Sequence, residues 1–305
     1  MRIYVAVTDF DWFTFLQQTE PDEVNFWRAS TRPVFRALRP GQLFLFKLHA
    51  PRNVIVGGGV FSRYLQLPVS TAWESFGTAT GAASRSEFIN TVYREKRITW
   101  HDRPDISIGS IVLTRPFFFS QDQWIPEPGT WERNIPLGKL YETDTVEGRA
   151  LLDAVLERVG THLGRPDEQG SFLVDHLTQH IPGSGSFSLT MTQLYHNQCA
   201  ISGETALPAL SVAQIRPGER GGEQSPVNGI LLRKDLCELF RLGYITVRPD
   251  FTVSISPRLV RESPRGMTGY TRFDGRPLSG MPDSFEHWPS RENLIWHGDH
   301  VFISV

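Results

Sequence analysis

The chain has 305 residues, 40% of them hydrophobic and 11% aromatic, which is the composition of a folded globular protein and excludes a disordered one. A formal net charge of -2 gives no overall basic character, so any affinity for nucleic acid has to come from a local patch. The N-terminus, MRIYVAVTDFDWF, lacks the regions of a secretory signal, and no apolar run approaches the ~18 residues of a membrane helix, so a soluble, cytoplasmic protein with no membrane partner is expected.

In chain order, Ile3 to Val7 alternates as a strand, and Gln42 to Leu48 and Val54 to Phe61 form a strand pair around the turn-like segment 49–53. Ser86 to Arg97 reads as a helix with Phe88, Ile89, Val92 and Tyr93 on one face. Ile108 to Thr114 and Pro116 to Phe119 supply further strands, and Leu151, Leu152, Val155, Leu156, Val159 and Leu163 mark a helix between Gly148 and Gly164. Gly, Pro and small polar residues at 164–170 and 182–186 place a domain boundary near residue 165, giving domains of 1–165 and 166–305. The second half continues with a helix around Leu189 to Tyr195, a strand from Leu210 to Ile215 and a helix from Lys234 to Arg241. A hairpin of Tyr244 to Val247 and Phe251 to Ile255 follows.

The two cysteines, Cys199 and Cys237, make neither a disulfide framework nor a C-x-x-C zinc site. The stretch around them carries the chemistry. It holds Cys199, Ala200, Ser202 and Gly203, then Ala213, Ile215, Arg216 and Pro217. Asn228, Gly229, Leu231, Leu232, Arg233, Asp235, Leu236, Leu239, Phe240, Gly243 and Tyr244 follow. On these residues the segment resembles the HNH, or ββα-metal, nuclease domain of bacterial restriction endonucleases. The departures fall on the catalytic positions: the resemblance implies a general-base His where Gln214 stands and a metal-binding His where Cys237 stands. A further His position is Gln224, and an Asp position is Arg241.

An amide has no usable pKa for general-base work, which is commonly worth about 10²–10⁴ in rate. A thiolate at Cys237 would be a doubtful metal ligand, favouring zinc over the hard Mg²⁺ or Mn²⁺ that such a nuclease uses. Asn228 is implied to pin the loop backbone or orient the base, although Asn228-Gly229 is also simply a good turn. His196 and His297 are either replacements for the lost groups or ordinary histidines.

The first half resembles the EVE-type, PUA-like domain of modification-dependent restriction enzymes. The residues that carry this are Asn25, Phe26, Trp27 and Ser30, then Phe44 to His49, Pro51 and Asn53, Gly57 to Phe61, Leu67-Pro68, Ala72 to Glu74, Phe76-Gly77, Pro116 to Phe118 and Trp124 to Pro126. The implied fold class is α+β, a PUA-like β-barrel followed by a ββα-metal domain. Its implied partner is double-stranded DNA carrying a modified cytosine. Reading such a base needs a pocket with aromatic walls and a few polar groups. Trp27, Trp73 and Phe76 are the candidate walls, with Asn25 and Ser30 as polar partners; otherwise such aromatics are core. Gly57 to Gly59 permits either close approach of a phosphate backbone or a bulge. Backbone contacts are expected from Lys47, Arg52, Arg216, Arg233 and Lys234.

Three functions remain open on the sequence. The first is a modified-DNA reader with a degenerate nuclease centre that needs no cofactor. Another is a working, divalent-metal-dependent endonuclease, possible as a homodimer, whose site is rebuilt from Cys237, Asp235 or a nearby histidine. The third is an RNA-binding module.

Overall fold

In the first half, β-branched and aromatic residues at alternate positions put apolar side chains on both faces of each strand, so the sheet needs cover on both sides. A computed structural model describes residues 1–98, 105–132, 135, 137–162, 183–262 and 267–304. The chain divides into two units, Met1–Gly183 and Ser184–Val305. The expected boundary at residue 165 lies outside the described residues.

Unit 1 opens with β1 (Arg2–Thr8), α1 (Phe10–Thr19), β2 (Glu23–Arg28), β3 (Leu43–Leu48) and β4 (Val54–Pro68). It continues with α2 (Val69–Phe76), α3 (Arg85–Lys96), β5 (Ser107–Phe118), β6 (Ile125–Pro126), β7 (Gly138–Glu142) and α4 (Val146–His162). The strands make one mixed sheet of order β2-β5-β4-β3-β1-β7, with β6 on β4 and a parallel pair at β1-β3. Ile3, Val5, Leu43 and Leu45 face α4, where Leu151, Leu152, Val155 and Val159 cover them. The intervening Ala6, Phe44 and Phe46 face the other way, toward Phe13 and Leu16 of α1 and toward Phe35 and Leu38.

This corrects the expected barrel. The outer strands β2 and β7 do not pair among the described residues, so the sheet stays open, and helices and loops supply the cover that closure would have given. The α+β class stands. The triple glycine of β4 also finds its reason here. A Cβ at Gly57 would lie 2.3 Å from the Phe117 carbonyl oxygen, and one at Gly58 would lie 2.5 Å from that of Phe44. Register shifts between Gly58 and Val60 and between Phe61 and Arg63 bend the strand at this point. The glycines therefore serve strand-to-strand approach.

Unit 2 holds α5 (Ser184–Leu194), β8 (Leu210–Gln214), β9 (Gly229–Arg233), α6 (Lys234–Arg241), β10 (Ile245–Val247) and β11 (Val253–Ile255). Then come α7 (Pro257–Glu262), α8 (Met267–Tyr270) and α9 (Arg291–His300). β8 and β9 pair antiparallel from Leu210↔Arg233 to Gln214↔Gly229, and β9 runs straight into α6, a ββα unit. Leu236 and Phe240 of α6 are buried against Ile230, Leu231 and Leu232 in one core. Cys199 anchors the unit: its buried Sγ accepts the N–H of Ser202 at 3.3 Å and of Arg233 at 3.1 Å.

Candidate functional site: an aromatic cavity and a ββα centre

Along β1 the side chains that point away from α4 are Tyr4, Ala6 and Thr8, and along β2 those of Phe26 and Arg28 turn the same way. Together with Trp12 of α1, Trp27, Phe35 and Phe44 they bound a cavity of about 390 Å³. That lies within the roughly 300–1,000 Å³ usual for small-ligand sites. Its walls are mutually braced. Phe26 and Phe44 lie 4.8 Å apart by ring centroid, Tyr4 meets Phe35 edge-on at 5.0 Å, and Trp12 meets Phe26 edge-on at 5.4 Å.

One wall is fixed by an unusual acceptor. The indole N–H of Trp12 and that of Trp27 both donate to the Thr80 carbonyl oxygen, each at 3.0 Å. Behind them Gly81 holds φ +82°, and a Cβ there would stand 2.1 Å from the Trp12 ring. Only glycine suits both demands. The two tryptophans also border a second, wider cavity of about 830 Å³, which shares Asp9 and Glu95 with the first.

Polar groups gather at the rims. His49 Nε2 lies 3.5 Å from Asp9 Oδ1. Burial, and then the neighbouring Asp9 charge, push the Glu95 carboxyl above its usual range. The loop at 29–33 is tied down by Tyr64 Oη, which donates to the Thr31 carbonyl at 2.8 Å, and by Arg28 Nη2, which donates to the Pro33 carbonyl at 2.7 Å.

Of the five residues expected to form a base pocket, the structure brings two to this cavity, Trp27 and Ser30. The others lie elsewhere. Asn25 is buried on the opposite face of β2 from Phe26, Trp73 packs on Phe88 at 6.0 Å in a separate core, and Phe76 is itself buried. The amphipathic pattern of α2 turns Trp73 and Phe76 inward, which is the ordinary fate of such side chains. Tyr4, Trp12, Phe26, Arg28, Phe35 and Phe44 were not singled out as pocket residues by the sequence. The available signal was the alternation of Tyr4, Ala6 and Thr8 along β1, which puts a small residue between two polar-tipped ones on a single face.

Among the expected phosphate contacts, Lys47 is unavailable. It is 2% exposed, its ammonium sits 3.0 Å from Glu127 and 3.2 Å from Asn53 Oδ1, and it stands 4.8 Å over the Trp131 ring. Arg52 borders the wider cavity, its guanidinium 3.9 Å from the Phe10 ring centroid. In unit 2, Arg216 Nε donates to the Arg220 carbonyl at 2.6 Å, and Lys234 is exposed at the start of α6. Arg233 is held by Asp235 through two bonds, at 2.6 and 2.7 Å.

Asn228 accepts the Arg216 N–H at 2.9 Å and donates to the carbonyls of Arg216 at 2.9 Å and Glu223 at 2.8 Å, so one buried side chain staples the loop between β8 and β9. We expect Asn228→Ala to lower stability by about 2–4 kcal/mol, because it leaves buried backbone groups unpaired. Urea unfolding followed by circular dichroism measures this, and an unchanged midpoint would reject the stapling role.

Gln214 only reaches the Glu223 carbonyl, at 3.4 Å. Burial raises the Cys237 thiol above its ordinary range, which keeps it protonated. The Arg233 guanidinium holds the Asp235 carboxyl below its usual range, and Tyr270 Oη also donates to it at 3.0 Å. His196 pairs with Asp283 at 3.2 Å, while His297 is buried with Nδ1 on Thr246 Oγ1 and Nε2 on the Phe240 carbonyl. A neutral amide, a protonated thiol and a carboxylate already bound twice by arginine do not fit a hard divalent ion. No group of three His, Cys, Asp or Glu converges among the described residues. No helix among them is long and apolar enough to cross a membrane.

No family model and no curated protein matches the chain. Among solved structures, an ASCH protein from Zymomonas mobilis is 12% identical with a TM-score of 0.32, covering 50% of this chain and 94% of that one. A single-residue mutant of that same protein gives 10% identity and a TM-score of 0.33 over 50% of this chain and 94% of that one. The modification dependent TagI restriction endonuclease is 10% identical with a TM-score of 0.32, covering 92% of this chain and 75% of that one. All three are distant likenesses.

Proposed function

We propose that this chain binds double-stranded DNA carrying a modified base, most simply a modified cytosine, by receiving the extruded base in the aromatic cavity of unit 1. The ββα unit then serves as a nuclease-like scaffold without efficient hydrolysis. The observation that carries the reading is the cavity wall in which Trp12 and Trp27 are locked onto one carbonyl. Two fixed indoles beside Phe26 and Phe44 offer an unstacked base new π-faces at little ordering cost, and each such stacking contact is worth about 1–3 kcal/mol.

The test is a titration of the whole chain with duplexes containing 5-methylcytosine, 5-hydroxymethylcytosine or unmodified cytosine, with structured RNA as competitor. Preference for a modified duplex by tenfold or more supports the reading. Equal binding of all duplexes, or displacement by RNA at lower concentration, refutes it. A parallel incubation with modified plasmid and Mg²⁺, Mn²⁺ or Zn²⁺ tests the second half, and nicking that Asn228→Ala abolishes would restore the endonuclease.

The charge pattern adds a further expectation. Arg52 and Arg94 border the wider cavity, but so do Asp9, Asp11, Glu87 and Glu95. Few counterions are released on binding such a surface, so log K against log salt should have a slope no steeper than about −3. Affinity measured between 50 and 300 mM KCl checks this, and a slope near −6 would point to a basic face elsewhere.

A further inference from the structure

The wider cavity of unit 1 has a lining chemistry of its own. Phe10, Trp12, Phe15 and Trp27 supply its rings, all half-buried, so part of each stays open to a ligand. Because both indole N–H groups are occupied by the Thr80 carbonyl, the tryptophans offer ring carbon here and no donor. Around the rings stand four carboxylates, of Asp9, Asp11, Glu87 and Glu95, against two guanidinium groups, of Arg52 and Arg94, and all six residues are exposed. Burial, and then the Asp9 charge, hold the Glu95 carboxyl above its usual range in spite of Arg94, so negative charge at this rim is under-compensated. One cation already rests on these aromatics: the Arg52 guanidinium, 3.9 Å from the Phe10 ring centroid.

Each class of ligand meets this lining differently. A phosphate is repelled by the excess of carboxylates. An inorganic divalent ion needs oxygen or nitrogen ligands that converge, and no group of three His, Cys, Asp or Glu does so among the described residues. An organic ammonium needs no such convergence. It rests on aromatic faces, and its N–H groups donate to carboxylates standing near.

We propose that the wider cavity binds an organic ammonium group, with Trp12 and Trp27 as its ring faces and Asp9, Asp11, Glu87 and Glu95 as its counter-charges. Two sources carry that chemistry. The cavity adjoins the first one along Asp9, Trp12, Trp27 and Glu95, so an aminoalkyl chain on a base held in the first lies beside it. A free polyamine is the other source. Asp11 and Glu87 line the wider cavity without lining the first, which makes them the residues to vary. Glu87 Oε2 also accepts the Ala83 N–H at 3.0 Å, an oxygen that glutamine keeps.

The test compares charged and uncharged ligands of matched size on the full chain. In the first arm 1,4-diaminobutane and 1,4-butanediol are titrated without DNA, read by tryptophan fluorescence and by calorimetry. In the second, a duplex carrying one 5-aminoalkyl pyrimidine is compared with the same duplex after acetylation, which removes the charge. The ammonium form should bind about tenfold tighter in at least one arm. The arm that shows the preference identifies the source. Asp11→Asn combined with Glu87→Gln should bring the ratio to within about twofold, with thermal melting to report that the variant is folded. Ratios below about fivefold in both arms overturn the proposal, and so does a ratio that persists in the folded variant. The wild-type comparisons need no variant to fold. The diamine arm owes nothing to the base-binding reading, so a failure of either leaves the other standing.

Discussion

Trp12→Ala should weaken binding of the modified duplex by about 10–100-fold, because it removes a whole stacking face from the cavity. The indole does three things at once. It presents its ring to the cavity, contacts Phe26 and Phe46 edge-on at 5.4 and 5.2 Å, and donates to Thr80 at 3.0 Å. Trp12→Phe keeps a ring but loses the bond that orients it, so an intermediate loss is expected. Gly81→Ala reaches the same wall from behind. The backbone at φ +82° disfavours any side chain, and the added Cβ would stand 2.1 Å from the indole, so Trp12 must turn. Binding to Gly81→Ala should therefore fall toward the Trp12→Ala value although no cavity residue has changed. Fluorescence anisotropy with labelled duplex separates the cases. If Trp12→Ala binds as tightly as the native chain, the cavity does not hold the base.

A second large effect concerns acid. His297 of α9 is 1% exposed, stacks on Phe240 at 3.8 Å, accepts from Thr246 Oγ1 at 2.9 Å and donates to the Phe240 carbonyl at 3.1 Å. Burial lowers its pKa from 6.5 to about 4. The unfolded chain therefore takes up this proton before the folded one does. Its contribution to stability is fully present above about pH 6.5 and is lost progressively as pH falls toward 4. A shift of this size corresponds to about 3 kcal/mol. Denaturant unfolding at pH 7.5, 5.5 and 4.5 should show the loss in the native chain and a much flatter profile in His297→Gln. Parallel profiles would mean that the imidazole does not titrate on unfolding. The same bonds occupy both ring nitrogens of His297 inside the core.

What could be read in advance follows from how local each determinant is. The ends of the helix Lys234–Arg241 were legible because its apolar side chains repeat at helical spacing, and Asn228 was legible because its neighbours form a dense motif. β2 was missed although Glu23 to Phe26 alternates polar and apolar residues, because the run is only four residues long before Trp27 breaks it. α1 was missed because four aromatics in ten residues look the same at either period. The cavity depends on contacts far apart in the chain: Trp12 and Trp27 meet through a carbonyl 68 and 53 residues further on. Lys47 misled for a related reason. Its sequence neighbours say nothing of Glu127 and Trp131, which take its charge.

The carbonyl of Thr80 has a consequence for hydration. An amide oxygen offers two lone pairs, and here each is taken by an indole N–H. That oxygen is therefore spent inside the protein, and the seam between the two indoles presents carbon rather than a free acceptor. Desolvation of that wall is confined to its apolar ring faces, and the polar cost of filling the cavity falls on the rim, where Asp9, His49 and Glu95 stand.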